Sequence, residues 1–367
     1  MTGRVQGDVV RLDLSVDAAG LTAALVDVES VSENEVQLTD AVESALRALP
    51  ALAVDRYGNV VVARTMLGAV SRVVLAGHLD TVPIADNVPS IRDGDVLRGC
   101  GTSDMKSGDA VALRIAYLVG TGALQPATDL TWIFYDCEEI AAERNGLTAL
   151  ARDQPADMRA DLAILLEPTG GVLEGGCQGT MRAVARLTGR RAHSARSWLG
   201  VNAVHAAAPL LQYLADYRPR RVVVDGLEYR EGLNAVAVEG GVAGNVIPDE
   251  CRVTVNFRFA PDRSEAEAEA HVREVLAGVD VEVIDSAPGA RPGMDAPLTR
   301  ALAAAVGGEP RAKLGWTDVA RFARLGVPAV NFGPGDPNLA HTREEWVSAA
   351  AVGAAEESLV RFLTSLG

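Results

Sequence analysis

Three stretches of this chain are apolar almost without interruption, and each runs into an acid or an imidazole. Val73-Val74-Leu75-Ala76-Gly77 delivers His78, Leu130-Thr131-Trp132-Ile133-Phe134-Tyr135 leads to Glu138 and Glu139, and Leu162-Ala163-Ile164-Leu165-Leu166 ends on Glu167. Runs of this kind mark strands buried on both faces of a parallel sheet. Open α/β sheets bind ligands beyond the carboxyl ends of such strands. Three polar endings of this composition therefore predict one site, and the mixture of carboxylate and imidazole predicts a metal.

The remaining pattern predicts the elements around that sheet. Residues 20–49 show helical periodicity, with Leu21, Leu25 and Val28 on one stripe and Val36, Val42, Ala45 and Leu46 on another. A strand pair is expected at Ala53–Arg56 and Asn59–Ala63 about the turn Tyr57-Gly58-Asn59, and a helix at Asp109–Leu118 after a Gly/Pro/Asp-rich stretch. From about 178 to 288 the pattern changes. Arg182–Thr188, Asn234–Glu239 and Arg252–Phe259 alternate like half-buried strands, while Asn202–Tyr217 and Arg263–Ala277 read as helices. After Pro292 come helices at Pro297–Val306, Thr317–Leu325 and Ala349–Leu363 and a strand at Ala329–Phe332. The expected fold class is α/β: a mixed sheet flanked by helices over 1–177 and 289–367, with a smaller α+β domain inserted over 178–288. No internal repeat, low-complexity segment or long linker interrupts this.

Composition narrows the function classes. A chain of 367 residues, 48% of them hydrophobic, fills two cores. The formal net charge of -15 argues against nucleic acid or an anionic membrane as partner, since both demand a basic surface. There is no run of about eighteen uncharged apolar residues that could span a bilayer, and Met1–Asp8 lacks the apolar core of a signal peptide, so a cytoplasmic location is expected. The four cysteines, Cys100, Cys137, Cys177 and Cys251, are too far apart for a C-x-x-C pattern and read as reduced, mostly buried thiols.

The polar endings have a specific chemistry. His78-Leu79-Asp80 sets a carboxylate two residues from an imidazole, the usual relation between a metal-bound histidine and the acid that orients it. Gly99-Cys100-Gly101-Thr102-Ser103-Asp104 is not a dinucleotide loop, because Asp104 stands where a third glycine is needed and would repel a pyrophosphate. It reads instead as a turn presenting Asp104 at a helix start, with Lys106 as a solvated charge. Glu138 and Glu139 are two adjacent acids that call for a cation if buried, with extended geometry pointing them apart, or two solvated acids opening a helix. His341 follows a turn-rich stretch. Together these residues offer oxygen and nitrogen ligands without sulfur, a set suited to zinc or cobalt and to two ions sharing a carboxylate.

The motifs His78-Leu79-Asp80-Thr81-Val82-Pro83, Asp104-Met105-Lys106-Ser107-Gly108, Glu138-Glu139, Glu167-Pro168 and the late His341 resemble the M20 family of metallopeptidases and amidohydrolases. The resemblance extends to Arg191-Ala192-His193-Ser194-Ala195, Gly244-Asn245-Val246-Ile247-Pro248 and Phe257-Arg258-Phe259 in the inserted segment. It implies two divalent metal ions, zinc or alternatively cobalt, with His78 and Glu167 on one, Glu139 and His341 on the other, and Asp104 bridging. Glu138 would be the general base and Asp80 the support of His78. His193 would serve as an oxyanion donor supplied across a homodimer formed through the inserted lid and dimerisation domain. Asn245, Arg258 and Thr317 would contact a small-molecule substrate. The implied reaction is cleavage of the N-succinyl amide of a diamino diacid, with another N-acyl amino acid or a dipeptide as alternative substrate and an inactive binding protein as a different class. Read by itself, His193 is a histidine beside Ser194, which caps the helix that follows. Gln178 departs from the family, many of whose members acting on succinyl amides carry an arginine there, and Trp316 replaces a small residue. His205 and His271 receive no role.

Overall fold

The computed structural model describes residues 10–366; the Met1–Asp8 start, read as lacking a signal-peptide core, lies outside the described residues. The chain forms two compact units. The first reaches Gly175 and resumes over Gly293–Arg311 and Arg321–Gly367; the second comprises Gly176–Pro292 and Ala312–Ala320. The segment 312–320 thus joins the second unit although it is remote from it in sequence, which a reading of contiguous elements does not reveal.

The first unit is built on an eight-stranded sheet in the order Ala53–Tyr57, Val60–Arg64, Asp129–Tyr135, Arg72–His78, Leu162–Leu165, Ala329–Asn331, Glu174–Gly175, Arg311–Ala312. Its four central strands, Asp129–Tyr135 to Ala329–Asn331, run parallel, whereas Ala53–Tyr57 with Val60–Arg64, Val60–Arg64 with Asp129–Tyr135, and Ala329–Asn331 with Glu174–Gly175 are antiparallel. Register pairs His78 with Tyr135, Ala76 with Leu165, and Leu165 with Asn331. The carboxyl ends are therefore level, and whatever follows each apolar run gathers at one end of the sheet. Helices Ala18–Val26, Val36–Arg47, Lys106–Gly120, Pro297–Val306 and Ala349–Ser365 contribute to the core of this unit. The Lys106–Gly120 helix starts three residues before the expected Asp109. The periodicity over 20–49 resolves into two helices, because the break between them carries Ser30 and Ser32 to hydrogen bonds with the backbone of Thr81, just beyond His78.

The second unit holds a four-stranded antiparallel sheet in the order Gly232–Gly240, Glu250–Phe259, Gly179–Thr188, Asp280–Ala287. Alternate residues Met181, Ala183, Ala185, Val253, Val255 and Phe257 pack with Leu210, Leu214, Ala268 and Val272 of the helices on one face. The expected helix Asn202–Tyr217 is divided into Ala203–Ala206 and Ala208–Asp216, where Pro209 removes a backbone donor. The expected Thr317–Leu325 helix is shorter, Val319–Arg324. A hairpin, Arg221–Val224 with Leu227–Arg230, was not anticipated. Asp225 and Gly226 turn it at φ 47° and 86°, and this Asp-Gly pair was the available signal. All four cysteines are free and buried. Among the described residues no helix is long and apolar enough to cross a membrane.

Candidate metal centre

Level strand ends bring the distant residues together. Potential ligand atoms of His78, Asp104 and Glu139 all lie within 4.8 Å of one another. Asp104 presents its two oxygens to two different imidazoles, Oδ1 at 3.3 Å from His78 Nε2 and Oδ2 at 3.5 Å from His341 Nε2. His341 Nε2 also lies 2.9 Å from Glu139 Oε1. Glu167 is buried just past the Leu162–Leu165 strand. Glu138 and Glu139 occupy a turn, which corrects the expectation that an extended segment would point them apart. Two non-glycine residues of these loops, Cys137 and His341, adopt φ 57° and 63°. L residues reach that region at a cost of about 1–3 kcal/mol, which is most often tolerated at functional sites.

Asp80 organises the arrangement from below. His78 Nδ1 is 3.0 Å from the Asp80 carbonyl oxygen and 3.4 Å from its Oδ1. The same carboxylate accepts from Glu138 N at 2.9 Å, from Glu139 N at 3.1 Å and from Ser32 Oγ at 2.7 Å. It therefore orients a histidine and holds the turn that bears both glutamates.

Two further residues belong to this region. Lys106, expected as a solvated charge, is buried and donates to the carbonyls of Leu25 and Val28 at 3.1 and 2.9 Å, at the carboxyl end of the Ala18–Val26 helix. Burial lowers its pKa to about 8. Glu345, unremarked in the sequence, is buried under the turn that carries Asp104.

The electrostatics ask for a cation. Burial opposes the charge on His78, yet its bonds to Asp104 and Asp80 outweigh burial and hold its pKa well above the ordinary value. Asp104 and Glu139 push His341 up to about 10. Asp104 resists burial through its bonds to His341 and His78, and its carboxyl lies well below the usual range. The imidazoles thus hold, as protons, positive charge that the surrounding carboxylates demand, and a divalent ion bound by the same oxygen and nitrogen atoms supplies it in their place. The donor set fits. A second cluster, Glu35, Asp136 and Cys137, also has ligand atoms within 4.8 Å. Burial raises all three pKa values, that of Cys137 to about 12, and Cys137 N and Sγ both bond Glu35 Oε1, at 3.3 and 3.5 Å. These groups bond to one another and brace the turn before Glu138.

The other anticipated residues lie in the second unit. His193 is exposed, and its Nδ1 accepts from Ala195 N at 3.0 Å, so the ring itself caps the Ser194–Leu199 turn. A ring accepting at Nδ1 carries its proton on Nε2 when neutral, which leaves that N–H as a donor. Asn245 is its neighbour, its carbonyl accepting from Ser194 N at 2.9 Å. Arg258 is half-buried on the Glu250–Phe259 strand, where burial lowers its pKa. Thr317 is buried, and its carbonyl accepts from Cys177 Sγ at 3.6 Å. Gln178 is buried with its amide committed to the Arg230 carbonyl at 2.7 Å, so it braces this unit.

The profile of peptidase family M20/M25/M40 matches residues 74–365. A Mycobacterium tuberculosis protein named for succinyl-diaminopimelate desuccinylase is 56% identical over 355 residues, covering 96% of this chain and 99% of the relative. The succinyl-diaminopimelate desuccinylase of Corynebacterium glutamicum is 51% identical over 342 residues, 91% and 92% of the two chains. Among solved structures, a tripeptidase from Staphylococcus aureus superposes with TM-score 0.79 at 20% identity over 97% of this chain and 99% of the other. A Bacillus subtilis protein described as a dinuclear metal binding peptidase gives 0.71 at 17%, over 95% and 97%. Both share the α/β fold with its mixed sheet.

Proposed function

The chain belongs to peptidase family M20/M25/M40, and from that premise we propose that it hydrolyses the amide of N-succinyl-L,L-diaminopimelate to succinate and L,L-diaminopimelate. The observation that carries the chemistry is the two-sided placement of Asp104 between His78 and His341. The substrate is supported by the two relatives above 50% identity that are named for it.

Asp104 would be shared by two divalent ions, zinc or alternatively cobalt, with His78 and Glu167 completing one set of ligands and Glu139 and His341 the other. When bound, such ions supply Lewis acidity toward the amide carbonyl and toward water. Glu138 takes the proton from the attacking water and returns it to the departing amine, a transfer worth typically 10²–10⁴ in rate. Asp80 keeps Glu138 in place through the backbone bond at 2.9 Å. Arg258 offers a planar fork matched to a substrate carboxylate, and Asn245 and Thr317 would line the same substrate. The Nε2–H of His193 would stabilise the developing oxyanion, a contribution of roughly 3 kcal/mol for one donor. It would come from the partner subunit of a homodimer formed through the second unit.

The test is metal analysis of the purified protein with parallel assays on N-succinyl-L,L-diaminopimelate and N-acetylornithine. Two equivalents of metal and faster turnover of the succinyl substrate are expected; faster turnover of acetylornithine overturns the assignment. Glu138→Gln should lower kcat by about 10²–10⁴ with metal retained.

A further inference from the structure

Glu345 lies four residues beyond His341, is only 2% exposed, and takes no part in the chemistry described so far. Its Oε1 accepts from Ser103 N at 2.7 Å and Asp104 N at 3.0 Å, and its Oε2 from Gly101 N at 2.9 Å. Its own carbonyl accepts from Gly99 N at 3.1 Å. Ser103 Oγ joins the same junction, donating to the Trp346 carbonyl and accepting from Asp336 N, both at 3.1 Å. The strand Trp346–Ser348 pairs with Val96–Arg98 and continues the connection. One side chain thus stitches the turn bearing Asp104 to the segment bearing His341.

The chemistry of the three donors explains why this residue is an acid. All are backbone N–H groups, and an ionised carboxylate accepts at both oxygens and donates at neither. Burying a carboxylate is costly, and charge-assisted bonds to backbone N–H groups offset part of that cost. The ammonium of Lys106, whose charge acts on Glu345, donates to Leu25 and Val28. Glu345 is therefore held by the turn it organises.

We propose that Glu345 is a positioning residue of the metal centre, its carboxylate fixing the Asp104 turn against the His341 segment so that the two oxygens of Asp104 face two different ions. The inference rests on the metal-centre reading above. Outer partners that orient ligands typically change metal affinity or activity by 10–100-fold when altered.

The experiment is titration of the metal-free protein with Co(II), following the visible absorption of the bound ion, on the wild type, Glu345→Gln and Ser103→Ala, with thermal melts of each metal-free protein. Glu345→Gln keeps the shape but turns a donor toward an N–H group. It should weaken Co(II) binding about 10–100-fold and alter the absorption bands, with kcat falling in parallel. Ser103→Ala keeps the bonds to Glu345, removes the second tie, and should weaken binding on the order of tenfold; it decides the matter if Glu345→Gln does not fold. Variants that melt lower yet bind Co(II) with wild-type affinity and bands assign Glu345 to the fold alone and overturn the inference. A wild type that binds no Co(II) overturns the metal-centre reading and this inference with it.

Discussion

Asp80 meets a histidine ring, two backbone amides and a serine hydroxyl with one carboxylate. An asparagine has a single acceptor oxygen, so Asp80→Asn leaves at least one amide of the Glu138–Glu139 turn facing an NH₂ group. The variant should lose about 10–100-fold in kcat and in metal affinity, measured by steady-state kinetics and metal content after dialysis. Half of this was legible. The H-x-D spacing places an acid beside an imidazole, and that relation is local. The grip on the glutamate turn depends on a strand end 58 residues away, and no short-range pattern encodes it. Lys106 shows the same limit. A lysine after a glycine-rich turn reads as solvated, and the carbonyls that hold it belong to a helix end some eighty residues earlier. Glu345 was invisible for the same reason, since its three donors lie 241 to 244 residues before it.

Among the elements, the helix Lys106–Gly120 decides how closely the ligands converge. Gly108 lies within its first turn, and packing gives the reason for glycine there: an added Cβ would stand 2.1 Å from the Leu166 carbonyl oxygen and 2.7 Å from the Leu166 Cβ. Leu166 precedes Glu167, so Gly108→Ala must push the helix start away from a ligand-bearing strand end. A loss of about 1–3 kcal/mol is expected, as for other overpacked sites, together with weaker metal binding, read by denaturant unfolding and metal titration. The central strands were legible because burial on both faces forces continuous apolar runs. The small sheet of Ile91–Asp93, Val96–Arg98 and Trp346–Ser348 was not, because its strands are three residues each and carry no period. At the opposite end of the central sheet, Asp129 accepts from Thr65 Oγ1, Leu67 N and Ala69 N at 2.7, 2.8 and 3.0 Å. Burial opposes its charge, but these bonds prevail and lower its pKa. A carboxyl lowered on folding contributes stability above its unfolded pKa of about 3.9 and loses it as pH falls through the lower folded value. Asp129→Asn should therefore cost about 1–3 kcal/mol near neutrality and flatten the acid limb of stability followed by circular dichroism between pH 5 and 2.

For the whole molecule, a net charge of -15 makes two copies repel unless an apolar surface holds them together. The second unit offers such a surface. Gly232–Gly240 is an edge strand of its sheet, pairing among the described residues with Glu250–Phe259 alone, and Val236 and Val238 are 57% and 49% exposed on it. Edge strands are ordinarily blunted by lysine, proline or a covering segment, and this one carries one charged residue, Glu239. Trp198, in the turn capped by His193, is a second exposed apolar group, at 75%. Pairing of two such edges about a twofold axis would cover both strands and set each His193 in a dimer. The substitution Val236→Lys together with Val238→Lys should then give a monomer by light scattering with unchanged circular dichroism and metal content. Its kcat should fall by about 10²–10³, the usual consequence of removing one oxyanion donor. A fully active monomer would place the donor within a single chain. Mixing distinguishes the cases further. Glu138→Gln and His193→Asn subunits should each be strongly impaired alone, whereas a hybrid dimer built from one of each would, with donation across the dimer, join an intact Glu138 to an intact His193 in one of its two sites. Random exchange should restore about a quarter of wild-type activity, as expected for a symmetric twofold assembly. Hybrids that form, as mass spectrometry would show, and stay inactive would exclude donation across the dimer.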